Sequence, residues 1–167
     1  MRFCVAIGAA LLSFMTVGSA ISKAAEIDSS AEFAFVTDFS SGKVLMEKQP
    51  DALMKPASMA KIMTVYIAFE RIADGSLSLD DTFLISEKAW RKGGSKTFVE
   101  VGKEVSVRDL LYGVVVQSGN DAAIAIAEGI SGTEEGFSEE MNYVARKLGM
   151  ENTVFRNSTG WPHLEQH

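Results

Sequence analysis

Two long, almost wholly apolar helical stretches dominate this chain, one from Pro56 to about Asp74 and one from Val107 to Glu128. Helices of that kind have to be covered on most sides, and the rest of the sequence offers little to cover them with. In the first stretch Ile62, Val65 and Phe69 recur at helical spacing, and so do Met59, Met63, Tyr66 and Ile67. Apolar residues nearly all round predict a buried central helix. Pro56 lies at its start, Ser58 falls in or beside its first turn, and Asp74-Gly75-Ser76 ends it. The second stretch divides into a helix over Val107 to Val116, an interruption at Ser118-Gly119-Asn120, and a helix from about Asp121 to Glu128 that stops at Gly129. A third helix is expected over Glu134 to Leu148, with Thr133 as N-cap and Gly149 as its C-terminal stop.

The strands are few. Glu32 to Asp38 and Lys43 to Lys48 are rich in β-favouring residues and flank Phe39-Ser40-Ser41-Gly42, a turn sequence. They predict an antiparallel hairpin at one edge of a larger sheet. Thr82 to Ser86 is a short strand candidate, Arg91 to Lys96 with Gly93-Gly94 a polar and mobile loop, and Asn157 to Gly160 a turn. The class is therefore α+β, with a helical cluster packed on an antiparallel sheet. Two or three strands are too few to cover these helices, so the sheet is expected to be incomplete.

The first residues stand apart. Arg2 precedes an apolar run from Phe3 to Val17 and then the small residues Gly18, Ser19 and Ala20. This is the layout of a secretory signal, and the run is shorter than the ~20 apolar residues a membrane span needs. Cleavage after Ala20 fits, cleavage after Ala24 also fits, and an uncleaved anchor is the alternative. The division expected is residues 1–24 as signal peptide and 25–167 as the folded part. The only cysteine, Cys4, lies in the signal, so the exported part has no disulfide, no cysteine nucleophile and no thiolate metal site. Without Arg2 and Lys23 it carries 14 basic against 22 acidic residues, a net charge of −8. No basic stripe exists to neutralise phosphates, which argues against a nucleic-acid partner. The two histidines, His163 and His167, sit in the last five residues. Acid–base chemistry in the body of the chain therefore falls to carboxylates, lysine or tyrosine, and no cofactor or metal is expected.

Ser58-Met59-Ala60-Lys61 suits that restriction. Residues three apart on a helix face the same way, which leans Lys61 over the Ser58 hydroxyl. A serine hydroxyl is a poor nucleophile until a base takes its proton. An exposed lysine titrates near 10.4 and would be charged, but burial lowers that value. The first-turn N–H groups of a helix are unpaired and positive, so the N–H of Ser58 is placed to donate to a developing oxyanion. The plainer alternative is an N-capping serine followed by a lysine reaching for solvent. Ser118-Gly119-Asn120 lies between two apolar helices and has to face a cleft or solvent; a plain helix–helix turn is its alternative reading.

Together the two elements are more specific than either alone. S-x-x-K followed by S-x-N marks the penicillin-binding and class A β-lactamase group, and 60 positions separate Ser58 from Ser118 here. Ser41 to Leu45, Pro56 to Thr64, Gln117 to Ala122, Leu148 to Thr153 and Asn157 to Gly160 resemble the low-molecular-mass serine D-alanyl-D-alanine carboxypeptidases, from about Ala31 onward. Gly119 stands where class A β-lactamases usually carry aspartate, which favours the carboxypeptidase side. The resemblance implies a β-lactamase/transpeptidase-like fold. It also implies that Ser58 attacks the bond between the terminal D-alanines of a peptidoglycan stem peptide, Lys61 accepts its proton, Ser118 helps protonate the departing D-alanine, and Asn120 positions the substrate amide. β-Lactams would acylate the same serine. A D,D-endopeptidase, a β-lactamase and a non-catalytic fragment are the alternatives.

The family's third motif, lysine–threonine–glycine, is not among these residues. Lys96-Thr97 is followed by Phe98, and Ser158-Thr159-Gly160 has no lysine. The expectation is that the chain stops before the motif, the last strands and any C-terminal membrane anchor. Lys61 should then hold its proton more strongly, and this chain alone should acylate poorly.

Overall fold

The computed structural model describes residues 28–167; the expected signal peptide lies outside them. No helix among the described residues is long and apolar enough to cross a membrane. The chain forms two compact units that divide between Asp51 and Ala52.

The first unit is the hairpin. β1 (Ala34–Thr37) pairs antiparallel with β2 (Val44–Lys48), Ala34 opposite Lys48 and Val36 opposite Met46, with an irregularity after Val36. Asp38 closes the turn: its carboxylate accepts from the Ser41 N–H at 2.8 Å, and its own N–H donates to the Lys43 carbonyl at 2.9 Å. The two strands form a two-stranded sheet, and no third strand among the described residues joins them, in line with the incomplete sheet expected.

The second unit is mostly helical. A single 3₁₀ turn, Ala57–Met59, leads into α1 (Ala60–Ala73). β3 (Thr82–Leu84) is followed by the short α2 (Glu87–Arg91), then β4 (Glu104–Ser106), α3 (Val107–Gln117), α4 (Asn120–Ser131) and α5 (Glu134–Lys147). β3 and β4 pair antiparallel, Phe83 opposite Val105. Neither β4 nor α2 is evident in the sequence, because elements of three and five residues carry no readable period. α2 does carry a start signal: the Ser86 hydroxyl accepts from the Ala89 N–H at 3.0 Å. α5 begins as expected, with the Thr133 hydroxyl accepting from the Gly136 N–H at 3.0 Å.

The central helix is α4, not α1. Every residue from Asn120 to Ala127 is buried, and α4 packs against α1, α2, α3, α5 and β3. Four of those eight residues are alanines, and small side chains let neighbouring helices approach closely on every side. α1 instead buries one stripe, Ala60, Lys61, Met63, Thr64, Ile67 and Ala68, and leaves Ile62 at 71% exposed and Phe69 at 51%. α4 also runs past Gly129 to Ser131 and stops at Gly132, which has φ +79°. Gly129 is there for packing, since a Cβ on it would run into the Phe83 ring. One apolar cluster joins α3 and α4 to Ala68, Ile85 and Val99; a second joins the inner face of α1 to Ala127, Phe137, Met141 and Phe155.

Candidate active site

Ser58 sits in the 3₁₀ turn and Lys61 in the first turn of α1, so the expected three-residue offset survives although the α-helix begins only at Ala60. Ala57, just before the serine, has φ +46°, in the left-handed region. A non-glycine residue held there costs roughly 1–3 kcal/mol and persists only where its surroundings dictate it. Lys61 is 4% exposed. Its Nζ lies 3.2 Å from Ser58 Oγ and 3.3 Å from Ser118 Oγ. As an ammonium it donates to both hydroxyls; as a neutral amine it accepts from Ser58 along the same line. Burial without a carboxylate partner pushes the Lys61 pKa below that of an ordinary lysine.

Ser118 reaches this point through its backbone. It caps α3 in the left-handed conformation, φ +54° and ψ +35°, which turns the chain between α3 and α4. Ser58, Lys61 and Ser118 line one cleft of about 330 Å³, walled by Ile62, Val65, Val114 and Val115. Two hydroxyls and one amine are its polar side chains among the described residues, and Lys61 itself is buried at the base while Ile62 and Val115 stay exposed at the rim.

Asn120 is placed differently. It is buried, its Nδ2 donates to the Gly93 carbonyl at 2.7 Å, and its N–H donates to the Ser95 carbonyl at 2.8 Å. The lysine thus joins the two serines, while Asn120 holds the segment from Gly93 to Ser95. That segment, expected to be a mobile loop, is tethered.

Asp121 completes the tether, and its part escapes sequence reading. It is fully buried, and its carboxylate accepts from the backbone N–H groups of Thr97 (2.8 Å), Phe98 (2.8 Å), Val99 (3.3 Å) and Ala122 (2.9 Å). No ion pair to it occurs among the described residues, so N–H dipoles and the α4 N-terminus balance its charge. The available signal was an acid opening an alanine-rich helix with no polar face. Gly119 is required by the same packing: a Cβ on it would strike Thr97 Oγ1 and press on Asp121 Oδ1.

A second buried acid, Glu134, lies at the start of α5. Its Oε1 accepts from the Ser158 N–H (3.1 Å) and hydroxyl (2.9 Å), and its Oε2 pairs with Lys88 at 3.0 Å. The Ser158 carbonyl in turn accepts from Thr64 Oγ1 at 2.7 Å, one turn along α1 from Lys61.

Residues 19–167 match the model of the peptidase S11 family, described as D-alanyl-D-alanine carboxypeptidase. The chain is 41% identical over 138 residues to the D-alanyl-D-alanine carboxypeptidase DacF of Bacillus subtilis, covering 83% of this chain and 36% of that protein. Among solved structures it resembles the D-alanyl-D-alanine carboxypeptidase DacD of Francisella tularensis, with a TM-score of 0.82 and 45% identity over 86% of this chain and 35% of the other. It also resembles penicillin-binding protein D2 of Listeria monocytogenes in its ampicillin-bound form, with a TM-score of 0.71 and 30% identity over 81% and 54%. The chain thus spans about a third of the length of the carboxypeptidases it matches. The fold is the penicillin-binding, transpeptidase-like one. With 41% identity to a relative and a family match over residues 19–167, this chain belongs to the peptidase S11 family of D-alanyl-D-alanine carboxypeptidases.

Proposed function

We propose that the protein is a serine D-alanyl-D-alanine carboxypeptidase that removes the terminal D-alanine from peptidoglycan stem peptides through an acyl-enzyme on Ser58. One observation carries the reading: a buried amine, Lys61, lies within 3.3 Å of two hydroxyls, Ser58 and Ser118, at the floor of an apolar cleft. Burial supplies the lowered pKa that a lysine base needs. In the forward step Ser58 Oγ bonds to the carbonyl carbon between the two D-alanines as Lys61 Nζ takes its proton. The C–N bond then breaks, and the Ser118 hydroxyl passes a proton from the lysine to the departing amine. Water reverses the sequence on the ester, returns Ser58 and releases the shortened peptide. Asn120, to which the family resemblance gives the substrate amide, holds the Gly93–Ser95 segment next to the turn that carries Ser118.

A β-lactam would acylate Ser58 by the same attack, its ring amide taking the place of the peptide bond. The ampicillin-bound Listeria relative supports that partner. The export-signal pattern from Arg2 to Ala20 supports work outside the cytoplasm, in the periplasm, on the cell wall. The test is the intact protein incubated with a fluorescent penicillin and, separately, with a D-alanyl-D-alanine pentapeptide. Stoichiometric labelling and D-alanine release, both lost in Ser58→Ala, are expected of the protein in a form that carries the family's lysine–threonine–glycine motif; residues 25–167 alone are expected to label poorly. Labelling that survives in Ser58→Ala refutes the assignment of the nucleophile.

A further inference from the structure

We infer that Gly160 is a positioning residue for the nucleophile, acting through the Ala57 carbonyl, and that Thr64 locks the same support to α1. This rests on Ser58 being the nucleophile. The starting point is the left-handed Ala57. Ser58 follows it directly, so the Ala57 dihedrals decide where the serine hydroxyl points relative to Lys61. Nothing in an alanine side chain favours that conformation, so the surroundings have to impose it.

The surroundings are specific. The Ala57 carbonyl accepts from the Ala60 N–H at the start of α1, and the Met59 N–H donates to the Pro56 carbonyl at 3.0 Å. On its other side this carbonyl lies against Gly160 Cα so closely that a Cβ on Gly160 would fall inside the carbonyl group itself. The obstacle is backbone rather than a side-chain tip that can swing away, and Gly160 is itself left-handed at φ +77°. Any side chain there has to displace either the turn before Ser58 or the segment that carries Gly160.

That segment cannot yield easily. Asn157 Oδ1 accepts from the Thr159 N–H (3.2 Å), the Thr159 hydroxyl (2.9 Å) and the Trp161 N–H (2.9 Å), which winds residues 157–161 into one knot. Ser158 and Thr159 are buried. Glu134 holds Ser158 through both its N–H and its hydroxyl, and Lys88 holds Glu134. The knot therefore meets the nucleophile helix at two points on either side of Ser58 and Lys61: the Ala57 carbonyl before them and the Thr64 hydroxyl after them. A displacement of about 1 Å at a reacting group can cost on the order of 100-fold in rate, and this support sets the separation of Ser58 from Lys61.

The experiment measures acylation of the intact protein by a fluorescent penicillin under stopped flow, separating the limiting acylation rate from the non-covalent dissociation constant. Gly160→Ala is expected to lower the limiting rate about tenfold or more, with binding changed less than about twofold. Thr64→Val removes the second tie without adding volume and should lower the limiting rate about fivefold, and Thr64→Ser should restore most of that loss because it keeps the hydroxyl. A folded Gly160→Ala protein that acylates within about twofold of wild type overturns the inference. If Gly160→Ala does not fold, the Thr64 pair decides: a Thr64→Val protein with the wild-type limiting rate overturns it. Failure to label by wild-type protein that carries the family's lysine–threonine–glycine motif, or labelling of Ser58→Ala, overturns the nucleophile assignment instead, which keeps the two failures distinct.

Discussion

Replacing Asp121 with alanine should be among the most damaging single changes in this chain, and the structure gives the size of the effect. The carboxylate accepts three N–H groups from the segment Thr97 to Val99 and one from its own helix. A hydrogen bond to a charged group contributes about 1.5–3 kcal/mol. The Thr97 bond, at 2.8 Å and partly buried, takes that value. Phe98 is 81% exposed, so water replaces its bond and the net loss there is small. The Val99 bond is long at 3.3 Å, but its N–H is buried, and leaving it unpaired costs about 1–3 kcal/mol. Loss of an acid in the first turn of α4 adds about 0.3–1 kcal/mol. Relief from burying an unpaired carboxylate offsets part of the sum. The net is about 3–4 kcal/mol, a large share of the ~5–15 kcal/mol that holds a typical domain together. Urea denaturation of the intact protein should show a midpoint lowered by about 1.5–2 M for a slope near 2 kcal/mol per M. Asp121→Asn should lose nearly as much, because its amide NH₂ would face the Phe98 and Val99 N–H groups, donor against donor. Amide exchange at Thr97, Phe98 and Val99 should quicken with the stability loss. If both variants stay within about 0.5 kcal/mol of wild type, the carboxylate is not what holds this segment, and the account of the tether is wrong.

Two further outcomes follow from the same geometry. Lys61 has a lowered pKa from burial, so its folded value lies below its unfolded one; between them the unfolded chain binds more protons and stability rises with pH, whereas below the folded value the cost of burying the ammonium is fully present. The stability of Lys61→Met relative to wild type should therefore be greatest near neutrality and shrink as pH rises toward the unfolded lysine pKa, while the wild-type acylation rate climbs over the same range as Lys61 loses its proton; a stability difference that does not change with pH contradicts this. Gly119→Ala should destabilise by about 1–3 kcal/mol through overpacking against Thr97. Thr97→Ala, which deletes a buried hydroxyl that has no hydrogen-bond partner among the described residues, should cost less than about 1 kcal/mol and recover most of the loss in the double variant; strict additivity in thermal melts would refute the contact.

Much of the chemistry is legible in the chain because it is local. A serine and a lysine three apart share a helix face whether that turn is α or 3₁₀, and the absence of histidine before residue 163 left lysine as the available base. The hairpin is legible because β-favouring residues flank a turn sequence, and α5 because a capping threonine and a stop glycine bracket its period. The tertiary structure decided what depends on partners distant in sequence. Ser118 meets Lys61 only because α3 packs on α1, and no spacing rule connects positions 61 and 118. Two apolar helices look alike as sequences, yet small alanines put α4 at the centre and leave one side of α1 exposed. Asp121 and Glu134 read as ordinary first-turn acids, since sequence fixes only that an acid at a helix start is favourable. Their burial, and the N–H groups that satisfy them, come from segments 22 to 24 residues away. Sequence alone determined the reactive groups and their local facing. The fold determined their distances, their burial and therefore their charge, because desolvation and packing depend on what the rest of the chain brings alongside.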